Sequence, residues 1–228
     1  MFDHIILTKF NLRSPNPDPR WTKIGTDEKG LPDDAWMDHR FDLFERFCYP
    51  SVMGQTCQEF TWIVLMDPDT GLQYRTRMAR LMRYGNLVAA YLKHERTIAA
   101  GAQNEHLMMT RLDNDDALHE DFVKRLHAEF RGQEYQFLHF SNGLCWDDVR
   151  RLLYVRKLRS GPLLTLISRE PRSVYEVNHR KATPVKELDT EPMWMIVCHA
   201  TNKLNRASGH AIPGPAPYEE LRGFNVHI

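Results

Sequence analysis

The apolar and polar positions of this chain change period several times. His4 to Phe10 and Phe60 to Met66 are short, nearly unbroken apolar runs, Ile5-Ile6-Leu7 and Trp62-Ile63-Val64-Leu65 at their centres. Such runs predict strands covered on both faces, as in a parallel sheet. Leu87 to Leu92 and Leu107 to Leu112 read the same way, the latter interrupted only by Arg111. Between these strands the period lengthens. Trp36, Arg40, Phe41, Phe44 and Phe47 keep helical spacing and predict a helix over Asp34 to Cys48, and Pro50 is placed to open a further helical segment closing near Gln55. Leu72 to Tyr84 predicts a surface helix carrying Arg75, Arg77, Arg80 and Arg83, and another helix is expected between His94 and His106. After the fourth strand, Leu118, Phe122, Leu126 and Phe130 recur every four residues, with Glu120, Asp121, Lys124 and Arg125 on the other face. Strands alternating with helices give βαβ units, hence an α/β fold of Rossmann type: a mixed, mainly parallel sheet flanked by helices.

Past Gly132 the rhythm is different. Tyr135 to Phe140, Arg151 to Val155, Leu163 to Ile167 and Met193 to Cys198 are strand candidates without helical patterns between them, and Asn142-Gly143 reads as a turn, so this half is expected to be mixed or antiparallel. Ser14 to Asp34 is rich in Pro, Gly and charge and reads as a long surface loop; the tail beyond Ser208, with Pro213, Gly214, Pro215 and Pro217, reads as extended. The expectation is a single domain over 1–228, divided into a half at 1–132 and a half at 133–228.

Composition narrows the partners. The 228 residues carry 30 basic and 30 acidic side chains, a formal charge of zero, so no overall field draws the chain to nucleic acid or a membrane surface, and any anionic ligand must be held locally. Cys48, Cys57, Cys145 and Cys198 are scattered without a C-x-x-C pair, which fits reduced thiols and a cytoplasmic location better than a disulfide framework. Apolar runs such as Trp62 to Met66 are far too short to span a bilayer, and the N-terminus lacks a basic segment and cleavage site.

The chemistry concentrates at Asp113, Asp115 and Asp116, three carboxylates within four residues at the end of a predicted strand. Ligands of open α/β sheets bind outside the carboxyl ends of strands. Two like charges about 4 Å apart repel by roughly 4 kcal/mol at an effective dielectric of about 20, so this crowding asks for a cation, a proton or solvent. A divalent ion with a taste for oxygen, Mg²⁺ or Mn²⁺, answers that need. Helix capping by Asp115 or Asp116 would account for one acid and not for three.

Three blocks resemble the nucleotide-sugar glycosyltransferases of the GT-A type, most closely the rhamnosyl transferase family: the strand Ile5 to Phe10 ending in Asn11; YPSVMGQTCQEFTWIVLMD from Tyr49 to Asp67; and TRLDNDDAL from Thr110 to Leu118, similar to a D-x-D motif. The likeness returns at WMIVCHATNKLN, Trp194 to Asn205. It implies a GT-A-like fold with the donor in the first half and the acceptor in the second, and transfer of a sugar from a dTDP-, UDP- or GDP-sugar to a glycan or other hydroxyl acceptor. It implies that Asn11 and Asp67 line the nucleotide pocket, that Asp113 and Asp115 are the D-x-D pair on the metal and ribose, that Asp116 fixes the loop or approaches the sugar, and that His199 completes the Mn²⁺ or Mg²⁺ site. Lys203 and Arg206 could add positive charge beside it. For the general base of an inverting transfer the second half offers Asp147, Asp148 and Glu170, with Glu170 ranked first, although the sequence Ile167-Ser168-Arg169-Glu170 departs from the expected placement of a Glu at the strand end. Two other readings fit parts of the pattern: a metal-dependent phosphoesterase, and a carbohydrate-binding module using Trp21, Trp36, Trp146 and Trp194 as stacking surfaces.

Overall fold

In the computed structural model, residues 1–13, 30–83, 85–159, 161, 163–200, 206–212 and 219–228 are described; most of the predicted Ser14 to Asp34 loop, Lys203 and the proline-rich segment 213–218 lie outside them. Strands β1 (Phe2–Lys9), β2 (Thr61–Met66), β3 (Leu87–Tyr91) and β4 (His106–Arg111) are all parallel, with β1 between β2 and β4 and β3 outside β2. Alternation within the apolar runs explains their composition. Ile6, Val64 and Met108 face one cluster with the helices over Asp34–Met53 and Phe122–Ala128, while Ile5, Leu7, Leu65, Leu107 and Met109 face another with Ile98 and Val174. Both faces are covered, so no polar alternation survives in the sequence.

The first helix is continuous where two were expected. Helix α1 (Asp34–Leu43), whose N-cap Asp33 accepts from the Trp36 amide, runs through a π-helical turn (Phe44–Cys48) into α2 (Tyr49–Met53). Pro50 has no N–H to give the Arg46 carbonyl. That carbonyl instead accepts from the His227 amide at 2.8 Å, so the carboxyl-terminal segment supplies what proline removes. Helix α3 (Leu72–Leu81) keeps two of its arginines for the fold: Arg75 donates to the Thr70 carbonyl and lies over Tyr91, and Arg77 pairs with Glu45 at 2.7 Å. Between β3 and β4 the expected helix shrinks to one turn, α4 (Arg96–Ala99).

The acids do not open directly into a helix, which corrects the sequence reading. Beyond them comes a two-residue strand β5 (Ala117–Leu118), and α5 (Phe122–Ala128) starts only afterwards, with Asp121 at its N-cap position. Leu118 is therefore a strand residue and Phe130 lies past the helix. Pairing of Ala117 and Leu118 with Met195 and Trp194 is what diverts the chain.

The second half is mixed, as its rhythm predicts. Strands β6 (Tyr135–Phe140), β7 (Asn142–Asp147), β8 (Leu152–Lys157), β9 (Thr165–Ser168), β10 (Val185–Leu188), β11 (Trp194–Cys198) and β12 (His210–Ala211) divide between two sheets. The large sheet has the order β10-β6-β9-β4-β1-β2-β3, with β9 antiparallel to both β4 and β6. The small one is β12-β8-β7-β11-β5. Asn142-Gly143 is no turn; it starts β7, and the break falls at Ser141. Trp146 and Trp194 are fully buried, so neither offers the stacking surface a carbohydrate-binding module would need. No helix among the described residues is long and apolar enough to cross a membrane.

Candidate active site

The small sheet meets the large one at the acidic corner. Strand β4 delivers Asp113 to Asp116 at its carboxyl end, β11 delivers His199 at its own, and α1 passes above with His39 and Arg40. Asp115, buried beside them, is the junction. Its Oδ2 accepts from Arg40 Nη1 at 2.6 Å and lies 2.9 Å from His199 Nε2, a contact that joins residues 84 apart in sequence. Arg40 Nη1 also reaches Asn114 Oδ1 at 3.2 Å, and Asn114 donates to the Phe10 carbonyl at 3.1 Å, tying the corner to the end of β1. His199 Nδ1 faces His39 Nε2 at 3.2 Å.

The neighbouring carboxylates are driven in opposite directions. Burial alone would raise the Asp115 pKa, but the Arg40 charge and the His199 hydrogen bond bring it down to about 2. Asp116 is pushed well above the usual carboxylate range, first by burial and then by the charges of Asp115 and Asp113. Its Oδ1 accepts from the Val197 amide at 3.0 Å, while Oδ2 is buried with no hydrogen-bond partner. Asp116 thus braces β11 against the corner. Asp113 is the exposed member, with 38 % of its side chain accessible and Arg111 Nη2 3.3 Å away.

A family model described as "Putative rhamnosyl transferase" matches residues 3–211, which includes every element of this corner. The chain belongs to that family. The resemblance to that family carried by its strand-end motifs is borne out. Among solved structures it is similar to Staphylococcus aureus TarS 1–349 in complex with UDP-GlcNAc, at 12 % identity over 91 % of this chain and 60 % of that one, TM-score 0.47. HddC from Yersinia pseudotuberculosis is similar at 13 % identity over 85 % of this chain and 92 % of that one, TM-score 0.40. The chain spans about 60 % of the TarS 1–349 length. A search of curated proteins finds no match.

In this rhamnosyl transferase family member, Asn11 and Asp67 do meet at adjacent strand ends. The Asp67 amide donates to Asn11 Oδ1 at 3.1 Å, and Asn11 Nδ2 donates to Thr70 at 3.0 Å. Both Asp67 oxygens are held by Arg13, at 2.9 and 3.0 Å, which with an amide bond from Asp69 outweighs burial and keeps the carboxyl below its ordinary range. Arg13 also pairs with Asp69.

Glu170 does not join the corner. Strand β9 is antiparallel to β4, pairing Thr165 with Thr110 and Ser168 with Leu107, so Glu170 emerges at the amino end of β4. It is exposed there and pairs with Arg172 at 3.1 Å. Asp148 is held by Arg46 at 2.8 and 3.1 Å and by Trp146 Nε1 at 3.0 Å, and Asp147 caps the turn through the Val149 and Arg150 amides. His179 stands near enough to Arg111 and Asp113 to feel their charges; burial, then Arg111, holds it below its ordinary range. Arg206 is exposed.

Arg40, His39 and Arg13 were not singled out by sequence as site residues. Arg40 was legible only as one beat of an amphipathic helix, and nothing local marks it as the partner of an acid 75 positions on.

Asp115 and His199 come together at the corner as a carboxylate and an imidazole whose other ring nitrogen already has a partner, but Asp113 does not close with them into a group of three ligand atoms within 4.8 Å. A metal on His199 Nε2 requires the proton on Nδ1, and His39 Nε2 is placed to accept it, the outer support that metal-bound histidines need. Arg40 Nη1 holds the same Asp115 oxygen that faces His199.

Proposed function

We propose that this protein transfers a sugar from a nucleotide-sugar donor to an acceptor hydroxyl in a reaction dependent on Mn²⁺ or Mg²⁺ at the acidic corner. The observation that carries the reading is the convergence of Asp115 and His199, 2.9 Å apart at the carboxyl ends of β4 and β11, inside the span of the family match. Asp113, Asp115 and His199 would hold the ion, which when bound neutralises charge on the leaving diphosphate. The chain's own residues do the rest. Asp113, at the exposed edge of the corner, faces the incoming donor. Asp67, anionic and gripped by Arg13, and Asn11 fix the strand ends where base and ribose would lie. Asp116 holds β11, and with it His199, at the right height, while Arg40 keeps Asp115 ionised and oriented. The family description makes a rhamnose donor the first to test, with dTDP, UDP and GDP as the nucleotide arms.

Purified protein incubated with each sugar nucleotide should release the nucleoside diphosphate with Mn²⁺ or Mg²⁺ and not with chelator. Release of inorganic phosphate from simple phosphoesters, with no turnover of any sugar nucleotide, would instead favour the phosphoesterase reading.

A further inference from the structure

The amino ends of the parallel strands, opposite the acidic corner, carry a second constellation. Cys57 and Glu59 lie on the segment that leads into β2, and His127 lies in the last turn of α5. Their ligand atoms all lie within 4.8 Å of one another, the one such group of three His, Cys, Asp or Glu side chains among the described residues. Cys57 Sγ stands 3.6 Å from His127 Nδ1. A tetrahedral zinc with Zn–S near 2.3 Å and Zn–N near 2.05 Å sets sulfur and nitrogen about 3.6 Å apart, the separation seen.

The approach is built in by the backbone. Thr56 donates its amide to the Glu120 carbonyl at 2.8 Å and its hydroxyl to Asp121 at 2.6 Å. Gln55 accepts from the Val123 amide at 3.0 Å and donates to the His119 carbonyl at 2.7 Å. The segment before β2 is thus fastened along the start of α5, and Cys57 is carried to the helix end.

Behind His127 runs a buried relay. His127 Nε2 lies 2.9 Å from His4 Nδ1, His4 Nε2 lies 2.8 Å from Thr110 Oγ1, and Thr110 meets Thr165 at 2.8 Å. A cation on His127 Nδ1 places that ring's proton on Nε2, where His4 Nδ1 accepts it. His4 then donates from Nε2 to Thr110, and every donor finds an acceptor.

We propose that Cys57, Glu59 and His127 form a second divalent-cation site that takes zinc. Thiolate, imidazole and carboxylate are all zinc ligands, and the thiolate is the donor that sets this group apart from Asp113, Asp115 and His199. Three protein ligands leave a fourth position for water. The site ties the approach to β2 to α5 and so acts on the fold, away from the transfer chemistry.

The test is titration of reduced protein with Co²⁺ as a spectroscopic stand-in, followed by Zn²⁺. Wild type should develop a thiolate-to-cobalt charge-transfer band that Zn²⁺ abolishes. Cys57→Ser should lose the band although Cys48, Cys145 and Cys198 remain, with an unchanged circular dichroism spectrum. Glu59→Gln, at an exposed position, should weaken Co²⁺ binding by about tenfold or more. Absence of the band in wild type, or its persistence in Cys57→Ser, would overturn the proposal. Should Cys57→Ser not fold, Glu59→Gln decides: unchanged affinity overturns it.

Discussion

Asp115 and Asp116 are adjacent, both buried, and shift in opposite directions because only Asp115 has the Arg40 charge and a hydrogen bond to the His199 ring beside it. Asp115 has Arg40 and His199, whereas Asp116 has one amide and an orphaned oxygen. A carboxyl whose folded-state pKa lies above its unfolded value contributes stability below that unfolded value and loses it as pH rises. At neutral pH the Asp116 charge therefore weighs against the fold. Asp116→Asn keeps an acceptor for Val197 and removes repulsion from Asp115 and Asp113. It should raise Tm at pH 7 by roughly 2–4 °C, the response of a protein this size to about 1 kcal/mol. A lower Tm in scanning calorimetry would show that the charge is compensated in the fold. The acids themselves were legible in the sequence because three carboxylates in four residues demand an explanation. Arg40 was not, because it reaches Asp115 only through the docking of α1.

At the scale of elements, the parallel strands were legible because burial on both faces leaves unbroken apolar runs. The failures share a cause: a tertiary contact overrides a local signal. Leu118 carries the phase of a helix, yet it pairs with β11 beside Ala117 and delays α5. Asn142-Gly143 carries the composition of a turn, yet Gly143 is needed in β7 because the Trp194 indole lies where a Cβ would stand. Gly143→Ala should cost about 1–3 kcal/mol through overpacking. The urea midpoint should fall while the slope stays constant. An unchanged midpoint would mean that Trp194 moves aside freely. Glu170 was misplaced for a related reason: sequence showed a strand and not its direction, and antiparallel β9 carries that acid to the far end of the sheet.

The whole molecule keeps several histidines neutral by burying them. Burial is the leading cause that depresses His4, His127 and His139, with His4 shifted furthest below the ordinary 6.5. A group with a depressed folded-state pKa contributes stability that is complete above the unfolded value and lost as pH falls. Asp115 acts in the same sense, but only below about 3.8, down to about 2. Asp116 opposes the histidines as pH falls, so the clean background is Asp116→Asn. In that variant unfolding free energy should decline from about pH 6.5 toward pH 5, as followed by urea titration at each pH. A flat profile across that range would contradict neutral burial of these rings.

The most direct test of the donor site is calorimetric binding of dTDP, UDP and GDP, each with Mn²⁺ and then with chelator, to wild type and to Asp115→Asn. One nucleoside diphosphate should bind wild type only with metal, and the folded variant should not bind it. Metal-independent binding, or equal binding by the variant, would contradict the assignment of Asp113, Asp115 and His199 as the donor's metal site.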